Sequence, residues 1–220
     1  MPRRSTVPLA PRRRPRQARA QETTRAILEA AARVFAAHGY AAGTTNRIAE
    51  AAGVSIGSLY EYFPNKDAIL VALMEQHIAE GETVMRALLA QPRPGKLRTV
   101  VRTFVQAMIA LHAHAPRLHR VLFEEAPVPR PVWRTLAAVE RRMVDDVERM
   151  LAVQPDVRVR DHALAARLVV QVIEDLTHRF VLHPDATVDA ERYVDEVTTL
   201  VTSYLTRLDG REEEVVRPRP

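Results

Sequence analysis

Apolar residues recur along this chain of 220 residues at three- and four-residue spacing, in runs cut by glycine and proline. That is the helical period, and no sustained two-residue alternation or Asn-Gly hairpin signal competes with it. The first run, about 23–38, puts Ile27, Ala31, Val34, Phe35 and His38 at helical spacing and stops at Gly39. The second, about 45–52, takes Thr44 or Thr45 as its N-cap and turns Ile48, Ala49 and Ala52 inward, with Gly53 supplying the turn that follows. Ser55 caps a third run that ends at Phe63 and carries the i, i+4 apolar pair Leu59 and Phe63. After Pro64, Asn65 caps a fourth run to about residue 90, with Asp67 complementing the dipole in its first turn. Five more follow, at about 95–114, 116–126, 130–153, 160–182 and 188–208. The expected fold class is all-α with about nine helices. An N-terminal three-helix unit with a helix-turn-helix precedes a larger C-terminal helical body.

The last two runs have wide apolar faces. Leu164, Leu168, Val172, Leu176 and Phe180 line one stripe, joined by Val169 and Ile173. Val194, Val197, Val201, Tyr204 and Leu208 follow the alternating three-four spacing of a coiled-coil seam. These faces are expected to pack against a second copy as a four-helix interface, which makes a homodimer; burial inside one chain is the alternative.

Composition narrows the class. Hydrophobic residues make up 47% of the chain, enough for a sizeable core, and cysteine is absent, so neither a disulfide scaffold nor a thiolate metal site is available. The absence of cysteine fits a reducing cytosol. No apolar run is long enough for a membrane span, and the N-terminus lacks the apolar segment of a secretory signal. The net charge of +5 is uneven: residues 1–20 hold seven arginines and no acid, so the remainder is slightly acidic. Pro2, Pro8, Pro11 and Pro15 argue against a regular helix there, and residues 1–20 read as a basic, disordered tail, either making phosphate contacts or solvated with no defined role. Residues 210–220 read as a second disordered tail.

Candidate chemistry concentrates between Thr44 and Lys66, where four of the seven glycines (Gly39, Gly43, Gly53 and Gly57) lie within or close by. A helix-turn-helix lays its second helix in the major groove with the N-terminal residues at base edges. Here those residues are Ser55, Ile56, Gly57 and Ser58: hydroxyls for hydrogen bonds, an apolar group for a thymine methyl, and a glycine that lets DNA approach closely. Tyr60 and Tyr62 point away from the Leu59/Phe63 stripe, toward phosphates. Thr44 and Thr45 are placed for phosphates across the groove, Arg47 for a base or a phosphate, and Lys66 for a phosphate at the start of the next helix.

The stretch from about 21 to 81 resembles the N-terminal domain of the TetR/AcrR family of bacterial transcriptional regulators. The likeness runs through Ile27, Ala30, Ala31, Phe35, Gly39 and Tyr40, then Thr44, Thr45, Ile48, Ala49 and Ala52-Gly53-Val54-Ser55. It continues through Gly57, Ser58, Leu59, Tyr60, Tyr62, Phe63, Lys66 and Leu70. The resemblance implies a homodimer that binds a palindromic operator and a divergent C-terminal body, here 82–209, that binds a small molecule. Ligand binding would move the fourth helix and release the DNA. It also implies that Asn46 and Ile56, variable in the family, help set operator preference.

Candidate pocket residues in the body are Met74, Met85, Phe104, Met108, His112, Phe123, Trp133, Met143 and His178, with plain core packing the alternative for each. His112, His114 and His119 lie close in sequence, but Pro116 stands between them, so they read as partly exposed histidines at a helix junction. No metal site or cofactor is assigned. No Walker loop, nucleophile elbow or His-Glu-x-x-His motif is present, and the chain is not expected to be an enzyme. Two other readings stay open: an all-α enzyme or small-molecule carrier with an incidental motif, and an inducer-free DNA-organising protein of the same fold.

Overall fold

The computed structural model describes residues 14–90 and 96–207. Among them the secondary structure is entirely helical: α1 (Arg14–Ala42), α2 (Thr45–Ala52), α3 (Ile56–Tyr62), α4 (Lys66–Ala90), α5 (Leu97–Ala113), α6 (Pro116–Arg120), α7 (Arg130–Val153), α8 (His162–Leu182) and α9 (Ala190–Thr206). A π-helical turn, Val121–Glu125, continues α6 where one helix to residue 126 was expected. The described residues fall into two compact units, one up to Ala72 and one from Leu73. That division lies inside α4; the resemblance extends the first domain to about residue 81.

The first helix starts earlier than its periodicity predicts. Arg14–Ala20 are helical, against the expectation of a tail without helix through residue 20. Pro15 falls in the first turn, where a missing backbone N–H breaks no intrahelical bond. Residues 1–13 and 210–220, the rest of the two tails, lie outside the described residues, as does Leu208.

In the first unit, Ile27, Ala30, Ala31, Phe35, Ile48, Leu59, Ile69 and Leu70 are fully buried. Two glycines are needed for that packing. Gly53 caps α2 at φ 68, the left-handed region that a Cβ disfavours, and its N–H returns to the end of the helix. Gly43 lies flat against Phe35: a Cβ there would sit 2.4 Å from a ring carbon.

In the second unit, α5 packs on α8 and α9, and α7 packs on α8. The core runs through Val101, Phe104, Val105 and Met108 of α5, Val147 and Leu151 of α7, Ala165, Ala166, Val169 and Ile173 of α8, and Val194, Val197, Val201 and Leu205 of α9. The buried hydroxyls of Thr177 and Thr198 donate to carbonyls one turn back, Ile173 at 2.7 Å and Val194 at 2.6 Å, so they enter the core satisfied. No described helix is long and apolar enough to cross a membrane.

Candidate functional site

Three short-range hydrogen bonds set the helix starts of the 44–66 segment. The Thr44 hydroxyl accepts from the Arg47 N–H at 3.3 Å, Ser55 from Ser58 at 3.0 Å, and the Asn65 side-chain carbonyl from Ala68 at 2.8 Å. Each satisfies an amide that the helix itself cannot pair. Leu59 anchors α3 in the core and Phe63 follows it at 8% exposure, so the opposite face of α3 is turned to solvent. Ile56 and Tyr60 are exposed large apolar groups at 38% and 49%. The Tyr60 hydroxyl lies 3.1 Å from that of Thr45, which links α2 to α3 along this face. Asn46, Arg47, Ser55 and Gly57 are exposed, while Thr45, Ser58 and Tyr62 are half-buried. Around Gly57 the space is open: the nearest atom to an added Cβ is the Ser55 hydroxyl oxygen at 3.9 Å. Its missing side chain therefore clears the outer surface and serves no internal packing.

Lys66 differs from its sequence reading. Its ammonium is turned inward, donating to the Tyr40 carbonyl at 2.8 Å and lying 3.9 Å from the centre of the Tyr40 ring. The Tyr40 hydroxyl in turn donates to the Asp67 carboxylate. Burial first, and then the Asp67 carboxylate as hydrogen-bond partner and charge, pushes the Tyr40 phenol up to about 12. Lys66 thus ties the chain after Gly39 to the start of α4. The two ammonium protons and the backbone N–H that remain are what it has for a phosphate.

The nine candidate pocket residues separate. Met74, Met85, Phe104 and Met108 are core residues, and Met143 is packed against that core. Trp133 is 60% exposed near the start of α7 and lines no interior; aromatic character alone suggested it. His112, Phe123 and His178 do come together, with two histidines outside the candidate set, His77 and His119. Ring centres lie 4.8 Å apart for His77–His119, His112–His119 and His119–His178, and 5.4 Å apart for His112–His178. Phe123, carried by the π-helical turn, lies 4.8 Å from His119 and 5.6 Å from His77.

The break at Pro116 therefore brings together two of the three histidines that it was expected to part, His112 and His119, while His114 is exposed. His112 and His119 are 2% and 6% exposed, buried where partial exposure was expected. His77 was missed because it stands alone in sequence on α4. Burial, reinforced by the neighbouring imidazoles, lowers His119 to about 2 and also lowers His77 and His178. All three are neutral at pH 7. A separate open depression on α4, lined by Gln76, Ala79, Glu80, Thr83 and Val84, shares no residue with this cluster.

The expected self-association face also divides. Val194, Val197 and Val201 are at most 4% exposed, covered by their own chain, and offer nothing to a second copy. The three-four spacing fits an internal seam equally well. Val172, Leu176 and Tyr204 are partly covered by the same core. Phe180 stacks on Tyr193 at 4.3 Å. Leu164 and Leu168 remain outside at 51% and 37%, and Leu200 of α9, absent from the expected stripe, is 55% exposed.

Residues 27–73 match the family model described as bacterial regulatory proteins, tetR family. Residues 96–205, half of the chain, match that of a tetracyclin repressor-like C-terminal domain. The HTH-type transcriptional regulator TtgR of Pseudomonas putida is 27% identical over 188 residues, 80% of this chain and 90% of that protein. The HTH-type transcriptional repressor AcnR of Corynebacterium efficiens is 39% identical over 72 residues, 32% of this chain and 38% of that protein. The HTH-type transcriptional activator FasR of Mycolicibacterium smegmatis is 30% identical over 105 residues, 48% and 47% of the two chains. The matched segment thus spans less than half the length of these last two relatives. Among solved structures, a tetR-family regulatory protein from Rhodococcus RHA1 superposes with a TM-score of 0.66 at 23% identity, covering 85% of this chain and 98% of that one. FadR from Bacillus subtilis in complex with stearoyl-CoA superposes with a TM-score of 0.62 at 20% identity, covering 81% and 97%. At these identities the structures establish a common fold.

Proposed function

The chain belongs to the TetR family of bacterial regulatory proteins, and on that premise we propose that it is a cytoplasmic, non-enzymatic, homodimeric repressor of transcription. It binds a palindromic operator through the 44–66 segment and lets go when a small molecule occupies the C-terminal body. The observation that carries the DNA reading is the solvent face of α3, where Ile56, Gly57 and Tyr60 stand clear while Leu59 holds the helix in the core. A helix so held can enter a groove without rearranging the unit. Thr44, Thr45, Tyr60 and Tyr62 serve the phosphates, and Asn46, Arg47, Ile56 and Ser58 the base edges.

Ligand response is supported by the relative caught with stearoyl-CoA. It requires only that the ligand prefer a state whose recognition helices misfit the half-site spacing. Pairing of two copies is supported by the exposed leucines of α8. Selection of bound sequences from random duplex DNA tests the reading. The expected product is an inverted repeat with half-sites about 34–36 Å apart, one helical turn. Recovery of sequences without a shared motif would reject a specific operator.

A further inference from the structure

Four imidazoles, one from each of four helices, meet at a single junction: His77 of α4, His112 of α5, His119 of α6 and His178 of α8. His119 stands at its centre, with the other three ring centres 4.8 Å away and Phe123 at the same distance. The junction has few places for protons. Between His119 Nδ1 and His77 Nε2, 2.8 Å apart, one nitrogen donates and the other must accept. A second proton there would set two N–H groups against each other. His112 Nδ1 and His178 Nε2 are buried without a hydrogen-bond partner, so a proton on either meets no acceptor.

The charged groups around the junction do not make up for this. Glu174 of α8 lies 3.7 Å from His112 Nε2, and its side chain is 51% exposed. Glu80 of α4 accepts from Gln76 at 2.8 Å. Glu124 of the π-helical turn is engaged by His183 at 2.9 Å and Arg120 at 3.6 Å. Asp175 of α8 and His114 of α5 are exposed. Glu80 and Glu174 act on His77, and Glu174, Glu124 and Asp175 on His178, but burial and the other imidazoles prevail. The charges that act on His119 are all imidazoles.

We infer that the four imidazoles form an acid-sensitive latch, whose protonation releases α6 and the π-helical turn, Pro116–Glu125, from α4, α5 and α8. The segment suits release, being two stretches of five residues each. Its side-chain ties to the end of α8 are Arg120, which donates to the Leu182 carbonyl, and Glu124, which meets His183. Such short, lightly tied segments open more readily than long core helices. Once released, His77, His119 and His178 meet water and regain their ordinary basicity, near 6.5. Held in the junction, all three stay below it. The released form therefore binds the more protons below pH 6.5, and the stability of the closed form is complete above that value and lost as the pH falls. For His119 the window runs from 6.5 down to about 2. His119 alone multiplies the released population about tenfold between pH 7.5 and 5.5, and His77 and His178 add to it. The latch goes beyond the regulatory reading, and its test involves no DNA.

The experiment is hydrogen exchange of the full-length chain, read by mass spectrometry at pH 7.5 and 5.5 with labelling times scaled to the intrinsic rate at each pH. Protection across residues 116–126 should fall at least tenfold at pH 5.5. Helix α9, which carries no histidine, should keep its protection. His119→Phe keeps a ring and removes the central proton acceptor. Its ratio of protection between the two pH values should be about tenfold smaller than that of the unaltered chain. A ratio taken within one chain is unmoved by a mere loss of packing. Should circular dichroism show His119→Phe unfolded, His178→Phe, at a half-buried position, supplies the same comparison. His38→Gln, exposed on α1, should behave like the unaltered chain. Unchanged protection of 116–126 overturns the latch, as does an equal loss in α9 or a pH ratio that the folded phenylalanine variants retain in full.

Discussion

The Lys66 ammonium donates to the Tyr40 carbonyl at 2.8 Å while lying 3.9 Å from the centre of that residue's ring. One side chain thereby closes the loop between the end of α1 and the start of α4, around the segment that carries the recognition helix. Lys66→Met keeps the stem and removes the charge. It should lower the stability of the first unit by about 1–2 kcal/mol, the scale of a charge-assisted hydrogen bond with partial exposure. An unchanged urea midpoint would show that the tie is idle. Any loss of DNA affinity in this variant has to be read against its stability, so it is a poor probe of phosphate contact.

Tyr40 has a signature at high pH. Its phenol stays protonated to about 12 when folded and ionises near 10 when unfolded. Between those values the folded chain binds the more protons, so this contribution to stability is complete below pH 10 and is lost as the pH rises toward 12. Phenolate absorbance should show a late step that disappears in Tyr40→Phe. A titration that keeps that step in the variant would refute the assignment.

Gly57→Ala separates folding from recognition. An added Cβ meets open space, and alanine is the better helix former, so stability should hold or rise by up to about 1 kcal/mol. Operator affinity should fall at least tenfold, because the methyl projects where a groove wall must come close. Equal affinity in a gel-shift titration would remove Gly57 from the interface.

Trp133 is the one tryptophan of the chain and stands 60% exposed. Its fluorescence should have the red-shifted maximum of a solvated indole, and Trp133→Ala should cost no more than about 0.5 kcal/mol. A blue-shifted maximum would return it to an interior.

The two long C-terminal helices predict opposite outcomes. Leu168→Glu alters a partly exposed position and should yield a helical monomer by light scattering. Val197→Glu puts a charge into the core and should abolish cooperative unfolding. A dimeric Leu168→Glu chain would move the interface elsewhere.

Helix positions and caps were legible because their causes are local: Thr44, Ser55 and Asn65 each bond an amide three residues on. The solvent face of α3 was legible for the same reason, since Leu59 and Phe63 fix the orientation of a short helix. What escaped depends on contacts distant in sequence. His77 and His119 are 42 residues apart and meet at 2.8 Å; no spacing rule links them. The inward turn of Lys66 toward Tyr40 spans 26 residues. The α9 stripe was legible as apolar, but an apolar stripe does not name its partner, and the chain's own α5 took that place.

The three caps that start α2, α3 and α4 have an evolutionary consequence. Each anchor depends on one side chain and one amide within the same turn. Asn46, Arg47 and Ile56 lie exposed between the anchors and take no side-chain part in them. Mutation can therefore rewrite these letters one at a time without first repairing the scaffold. A duplicated gene would reach a new operator by short steps, each through a folded protein.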